Sequence, residues 1–227
     1  RSTLFPYTTL FRSQEALRIH RIANGDDSMQ VATALNNLGN ILFETGMLSE
    51  ARANYEEALG IYRRVHGERH PGVAVAFSNI AGILRKQGQL DEALEMHKKA
   101  LKIRRRALGK DHQDVADGLE HIGIILSAQG KHDEALEMFD KALSIFTRAL
   151  GIDNRQNARV HYHIALAKLQ SGDMAGALAS AREAVRIYNK HGITDETSQA
   201  AVDLLRKLEG GASLREKYKN RIARHRH

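Results

Sequence analysis

The chain has no cysteine, no tryptophan and only two prolines, Pro6 and Pro71, among its 227 residues. Without cysteine there is no disulfide, no thiolate metal site and no thiol nucleophile, and a cytoplasmic, intracellular home is the natural expectation. So few prolines leave long helices almost uninterrupted. Aromatic residues make up 5% of the sequence, whereas alanine, leucine, glutamate, lysine and arginine dominate, which favours helix over sheet. No apolar run approaches the ~18 residues a membrane span requires, so none is expected.

The formal charge of +7 is concentrated at the two ends. Arg1 and Arg12 supply two of these charges. Residues 211–227 supply five more, from Arg215, Lys217, Lys219, Arg221, Arg224 and Arg226 against Glu216. The body between them is neutral, so no specific nucleic-acid partner is expected. The tail itself suits an acidic partner. Residues 1–13, Arg-Ser-Thr-Leu-Phe-Pro-Tyr-Thr-Thr-Leu-Phe-Arg-Ser, match the translation of a short-read sequencing adapter codon for codon. We therefore set them apart from fold reasoning as an assembly artefact, the alternative being an extended N-terminal segment. On that reading the native N-terminus is missing.

What is present is periodic. Gly46, Gly88, Gly130 and Gly172 recur at a step of 42, as do Gly67, Gly109 and Gly151. Ala51, Ala93, Ala135 and Ala177 keep the step, and so do Ala58, Ala100, Ala142 and Ala184, then Ile61, Ile103, Ile145 and Ile187. Ala16, Leu17, Ile19 and Gly25 extend it backwards. Each period reads as two helices of about 17 residues joined by short turns. In the second, Val73, Phe77, Ile80, Ala81 and Leu84 form one apolar face, Gly88 breaks the helix, and Asp91-Glu92 places acid in the next first turn. Ala93, Leu94, His97, Ala100, Leu101 and Ile103 form the second face, and Gly109 ends it. The recurring alanines, with Gly39, Ala81, Gly123 and Ala165 on the first helices, are small where helices must approach closely. One hairpin cannot bury its own stripe, so several must stack.

The organisation that follows is a remnant second helix over 14–27, four hairpins over 28–69, 70–111, 112–153 and 154–193, a capping helix over 194–210 closed by Gly210-Gly211, and the basic tail over 211–227. The fourth hairpin is degenerate: Lys168 stands in the place of Leu42, Leu84 and Leu126, and Ala181 in that of Tyr55, His97 and Phe139.

The pattern Leu38-Gly39, Leu42, Gly46, Ala51, Tyr55, Ala58, repeated as Ile80-Ala81, Leu84, Gly88, Ala93, His97, Ala100, resembles the tetratricopeptide consensus. The consensus repeat is ~34 residues long. The longer step here, with Leu90-Asp91-Glu92-Ala93-Leu94 and Ala100-Leu101-Lys102-Ile103-Arg104, is similar to the kinesin light chains. The resemblance implies an all-α fold, a right-handed superhelical solenoid of helix hairpins with a C-terminal capping helix. It implies a protein-interaction scaffold or adaptor rather than an enzyme, akin to the cargo-binding domain of kinesin light chains, needing no cofactor. The rival reading is a regulatory repeat region of a larger signalling protein or enzyme whose catalytic domain lies upstream.

In this family the first helices line a concave groove that receives an extended peptide or partner protein. The corresponding positions are Thr33, Asn36, Asn37 and Asn40; Ser78, Asn79, Arg85 and Lys86; Glu120 and His121; and Arg159, Tyr162 and His163. Asparagines offer both donors and acceptors to a peptide backbone, and Arg85 and Lys86 could meet acid in it. Asn40 fits the carboxylate clamp of chaperone-binding relatives, but Asn36 and Ser78 do not, so chaperone C-termini are not expected.

The twelve histidines do not compose a metal or catalytic site. His161 and His163 are two apart, on different helix faces, and His66, His70 and His112 fall near inter-repeat turns. Asp91-Glu92 and Asp133-Glu134 recur with the repeat and sit at helix starts, which capping explains without acid–base chemistry. Arg104-Arg105-Arg106 with Lys98, Lys99 and Lys102 is the one basic cluster of the body, read as a solvated face or as a site for an acidic partner or membrane surface.

Overall fold

A computed structural model describes residues 4–224, with side chains described over residues 9–211. Among the described residues every regular element is a helix. The ten are α1 (Leu4–Asn24), α2 (Met29–Glu44), α3 (Leu48–His66), α4 (Pro71–Lys86), α5 (Leu90–Leu108), α6 (Gln113–Ala128), α7 (His132–Leu150), α8 (Arg155–Gln170), α9 (Met174–Lys190) and α10 (Glu196–Arg224). The first helices α2, α4, α6 and α8 all have 16 residues, and α3, α5 and α7 all have 19.

The ends of these helices follow the step of the repeat. Ser28, His70, His112 and Asn154, each 42 apart, accept a backbone N–H at the start of a first helix: Val31, Gly72, Asp114 and Asn157 donate at 3.3, 3.1, 3.1 and 2.8 Å. Two of the turn histidines are therefore helix caps. Within the hairpins the turn is made by backbone. Gly46, Gly88 and Gly130 adopt φ of 82°, 78° and 78°. The following N–H of Met47, Gln89 and Lys131 reaches back five residues to Leu42, Leu84 and Leu126, a glycine-dependent closure that satisfies otherwise orphaned carbonyls. In the fourth hairpin Asp173 adds a side-chain cap, accepting from Gly176 N at 2.9 Å.

The chain divides within α6 into two bodies, Arg1–Gly118 and Leu119–His227. In the first, α2 packs on α3 and α4 on α5, with α1 against α2, α3 against α4 and α2 touching α4. Its core includes Val31, Leu35, Tyr55, Ile61, Val73, Ile83 and Leu84. Gly39 is required by Tyr55: a Cβ there would lie 2.5 Å from the ring. In the second body Gly123 is required by Phe139 in the same way, at 2.6 Å. Where the facing residue is smaller, alanine takes the glycine position, as Ala81 with His97 and Ala165 with Ala181.

The second body closes differently. Ala165, Ala177 and Ala181 leave room that Leu204 and Leu208 of α10 fill. The valine of Val31, Val73 and Val115 becomes Asn157, buried, whose Nδ2 donates to Thr147 Oγ1 and the Ile152 carbonyl, both at 2.9 Å. Helix α10 does not stop at Gly210-Gly211 but runs to Arg224, since helix formers follow and each interior glycine costs only about 1 kcal/mol. Likewise α1 begins at Leu4 and takes in part of the segment set apart above. Its C-terminal Gly25 has φ 77°, like Gly67, Gly109 and Gly151 at 80°, 87° and 84°. No helix among the described residues is long and apolar enough to cross a membrane.

Candidate functional site

The first helices carry the polar residues singled out from sequence, and the two bodies use them differently. In the first body Thr33, Asn37 and Asn40 of α2 and Arg85 and Lys86 of α4 are exposed, Ser78 and Asn79 are half-buried, and Asn36 is buried. Asn36 is engaged on both sides. Its Nδ2 donates to the Tyr62 hydroxyl at 3.0 Å, and its Oδ1 accepts from Asn79 Nδ2 at 3.2 Å. The tie between α2 and α4 is thus a neutral amide ladder ending on a tyrosine. Asn40 Oδ1 accepts from the Tyr55 hydroxyl at 2.8 Å. Burial, with the Glu44 carboxylate nearby, pushes that phenol up to about 12, so it stays a donor. Lys86 Nζ lies 4.1 Å from the centre of the Phe43 ring, which holds the charge over α2.

In the second body Glu120 of α6 is 2% exposed. Arg159 of α8 grips it with two bonds, Nε at 2.8 Å and Nη2 at 2.6 Å, and His163 Nε2 stands 3.5 Å away. His163 also stacks on Phe139, centroids 6.1 Å apart, and beside Tyr162, at 5.3 Å. Tyr162 is half-buried and packs on the cores around Ala158 and Ala165. His121 remains exposed. Farther along, Ser127 Oγ donates to Gln170 Oε1 at 2.9 Å.

Asn36, Asn79, Glu120, Arg159 and His163 are therefore brought together in pairs and triads that tie first helices to one another, and the solvent-facing remainder is Thr33, Asn37, Asn40, Arg85, Lys86 and His121. Sequence spacing places all of them on one face but does not show which turn inward. The caps Ser28, His70, His112 and Asn154 escaped notice too, although their 42-residue step was a signal able to reveal them. Among the described residues no group of three His, Asp or Glu side chains is gathered to hold a metal.

The family model of the tetratricopeptide repeat matches residues 12–64, 30–106, 72–139 and 114–190, which together span most of the chain. The chain belongs to the tetratricopeptide-repeat family. Among solved structures it is similar to BtubC (BKLC) from P. vanneervenii, with a TM-score of 0.70 and 16% identity over 94% of this chain and 93% of that one. It is also similar to a kinesin light chain candidate of Podospora anserina with nearly identical TPR-like repeats, with a TM-score of 0.65 and 16% identity over 83% and 90%. A single-site variant of that protein gives 0.67, again at 16% identity, over 83% and 89%. At this identity the likeness is one of fold. No curated protein matches the sequence. The matched family is a repeat family, which fits the hairpins above.

Proposed function

We propose that this chain is a protein-interaction scaffold, and that the first-helix face of its N-terminal body receives an extended peptide or a segment of a partner protein. The observation that carries the reading is the polar row on α2 and α4. Asn40 is exposed, Asn79 is half-open against Asn36, Thr33 and Asn37 are exposed on the side of α2 towards α1, and Arg85 and Lys86 close one end. The row is braced from beneath by Asn36, Tyr55 and Tyr62. Braced amides lose little freedom when they pair with a peptide backbone, and that preorganisation favours binding. The two cations at the end suit acid in the guest. The likeness in fold to kinesin light chain proteins supports the finer reading of a cargo-binding adaptor.

Asn36 is a poor residue with which to test this, because its loss disturbs the brace itself. The test is site-specific photocrosslinking from Asn40 on the first-helix face and from Glu137, exposed on α7. Capture of a protein partner from position 40 and not from 137 is expected. Equal capture from both, or capture from 137 alone, overturns the assignment.

A further inference from the structure

The second helices of the N-terminal body enclose a site of another kind. Between α3 and α5, over α4, lies a cavity of about 590 Å³ open to solvent. Its floor is apolar: Leu59, Phe77, Ile80 and Leu84 are buried, and Met96 and Ile103 are half-buried. Its walls are basic. Arg52 is paired with Glu56 at 2.8 Å, and Arg63 with Glu68 at 2.9 Å while lying 5.2 Å over the Phe77 ring. Arg69, Lys99, Lys102 and Arg106 are exposed and have no acidic partner among the described residues.

The repeat keeps Arg106, with Arg64 and Arg148 one step to either side, but it does not require Arg69, Lys99 or Lys102. The positions of Lys99 and Lys102 are Glu57 and Gly60 on α3. On α7 they are Lys141, paired with Glu137 at 3.4 Å, and Ser144. Nor does the helix dipole explain them, since it favours cations in the last turn. Arg105 and Arg106 lie in that turn, while Lys99 and Lys102 precede it. Like charges crowded on one wall repel unless an anion joins them. Of the three acids on the rim, Glu56, halfway along α3, and Glu68, beyond its end, are held by Arg52 and Arg63, and Glu92 lies in the first turn of α5, away from the unpaired cations.

We propose that this groove docks an acidic amphipathic peptide, with apolar side chains on the floor and carboxylates over Lys99, Lys102, Arg106 and Arg69. A recessed apolar floor suits side chains entering between two helices, whereas a flat anionic surface could not reach it. The site is separate from the first-helix face and can fail without it.

The test is fluorescence anisotropy of the full chain with a fluorescein-labelled peptide of leucine at helical spacing with glutamate between. A lysine-for-glutamate counterpart, phosphatidylserine vesicles and a single-stranded oligonucleotide serve as rivals. The glutamate peptide binds, and binding weakens as salt rises. Lys102→Glu with Arg106→Glu lowers its affinity about tenfold, and Lys102→Gln with Arg106→Gln lowers it less, circular dichroism being unchanged in both. Lys141→Glu on α7 leaves it unaltered. Equal binding to the charge-reversed protein, equal binding of the lysine peptide, or binding of vesicles or oligonucleotide without the glutamate peptide overturns the proposal.

Discussion

The same two positions of the repeat tie first helices together in both bodies, by different chemistry. In the N-terminal body they are Asn36 and Asn79; two repeats later, in the C-terminal body, they are Glu120 and His163. The first pair is a neutral amide ladder finished by Tyr62, whose own equivalent in the second is Phe146. The second is an ionic cluster completed by Arg159, whose equivalent in the first is the exposed Val75. A fold can therefore keep its helix spacing while exchanging amides for ions, provided each buried polar atom finds a partner. The exchange alters what each site tolerates. Amides lose one hydrogen bond at a time, whereas a buried carboxylate depends on its cation.

The largest effect should come from breaking the ionic version at its less buried member. Arg159→Met strands the buried Glu120 carboxylate, and we expect a loss of about 3–5 kcal/mol in denaturant unfolding. Adding Glu120→Gln should recover much of it, because a neutral amide no longer needs the guanidinium. Failure of that rescue would show that Arg159 acts through packing instead. Next comes Gly39→Ala, which drives a methyl into the Tyr55 ring and should cost about 1–3 kcal/mol despite the better helix propensity of alanine. Gly123→Ala, against Phe139, should behave alike in the other body. Asn36→Ala breaks the neutral ladder for about 1–2 kcal/mol, less than Arg159→Met because no ion is stranded.

The smallest effect is a change in pH dependence. His70 caps α4 by accepting a hydrogen bond on Nδ1, which only the unprotonated nitrogen can do. Burial, and then the neighbouring His66, hold its pKa below the ordinary histidine value. The unfolded chain therefore binds this proton more readily than the folded one. The stabilisation is complete above the unfolded pKa of about 6.5 and is lost as pH falls through it towards the lower folded value. His70→Asn, which borrows the cap of Asn154, should keep the thermal midpoint at neutral pH and flatten its fall in acid. An unchanged acid limb would assign that limb to other groups.

Much of this was legible beforehand. The 42-residue step of Gly46, Gly88, Gly130 and Gly172 announced the hairpin turns, because only glycine accepts the positive φ that closes them without strain. The small residues at 51, 58, 93, 100, 135 and 142 announced close helix contacts, and all are fully buried. The candidate face was legible only as a face. Nothing in the spacing of Asn36 and Asn37 says that the first is buried under Tyr62 and the second is open to solvent. Likewise, the basic run of α5 reads from sequence as a solvated face or as a site for an acidic partner or membrane surface, and the apolar floor beside it is supplied largely by α3 and α4.

The sequence by itself determined what depends on local backbone and on repetition: where the hairpin turns fall and which stripe is apolar, though not the end of α10, which runs through Gly210-Gly211. These follow from φ restrictions and side-chain period, which act over a few residues. Only the tertiary structure decided which polar side chains satisfy one another, that Glu120 is buried with Arg159 and His163, and that α3 and α5 flank a basic cleft. Those outcomes depend on side chains some 40 residues apart meeting at hydrogen-bond distance, and a one-dimensional pattern carries no such distance.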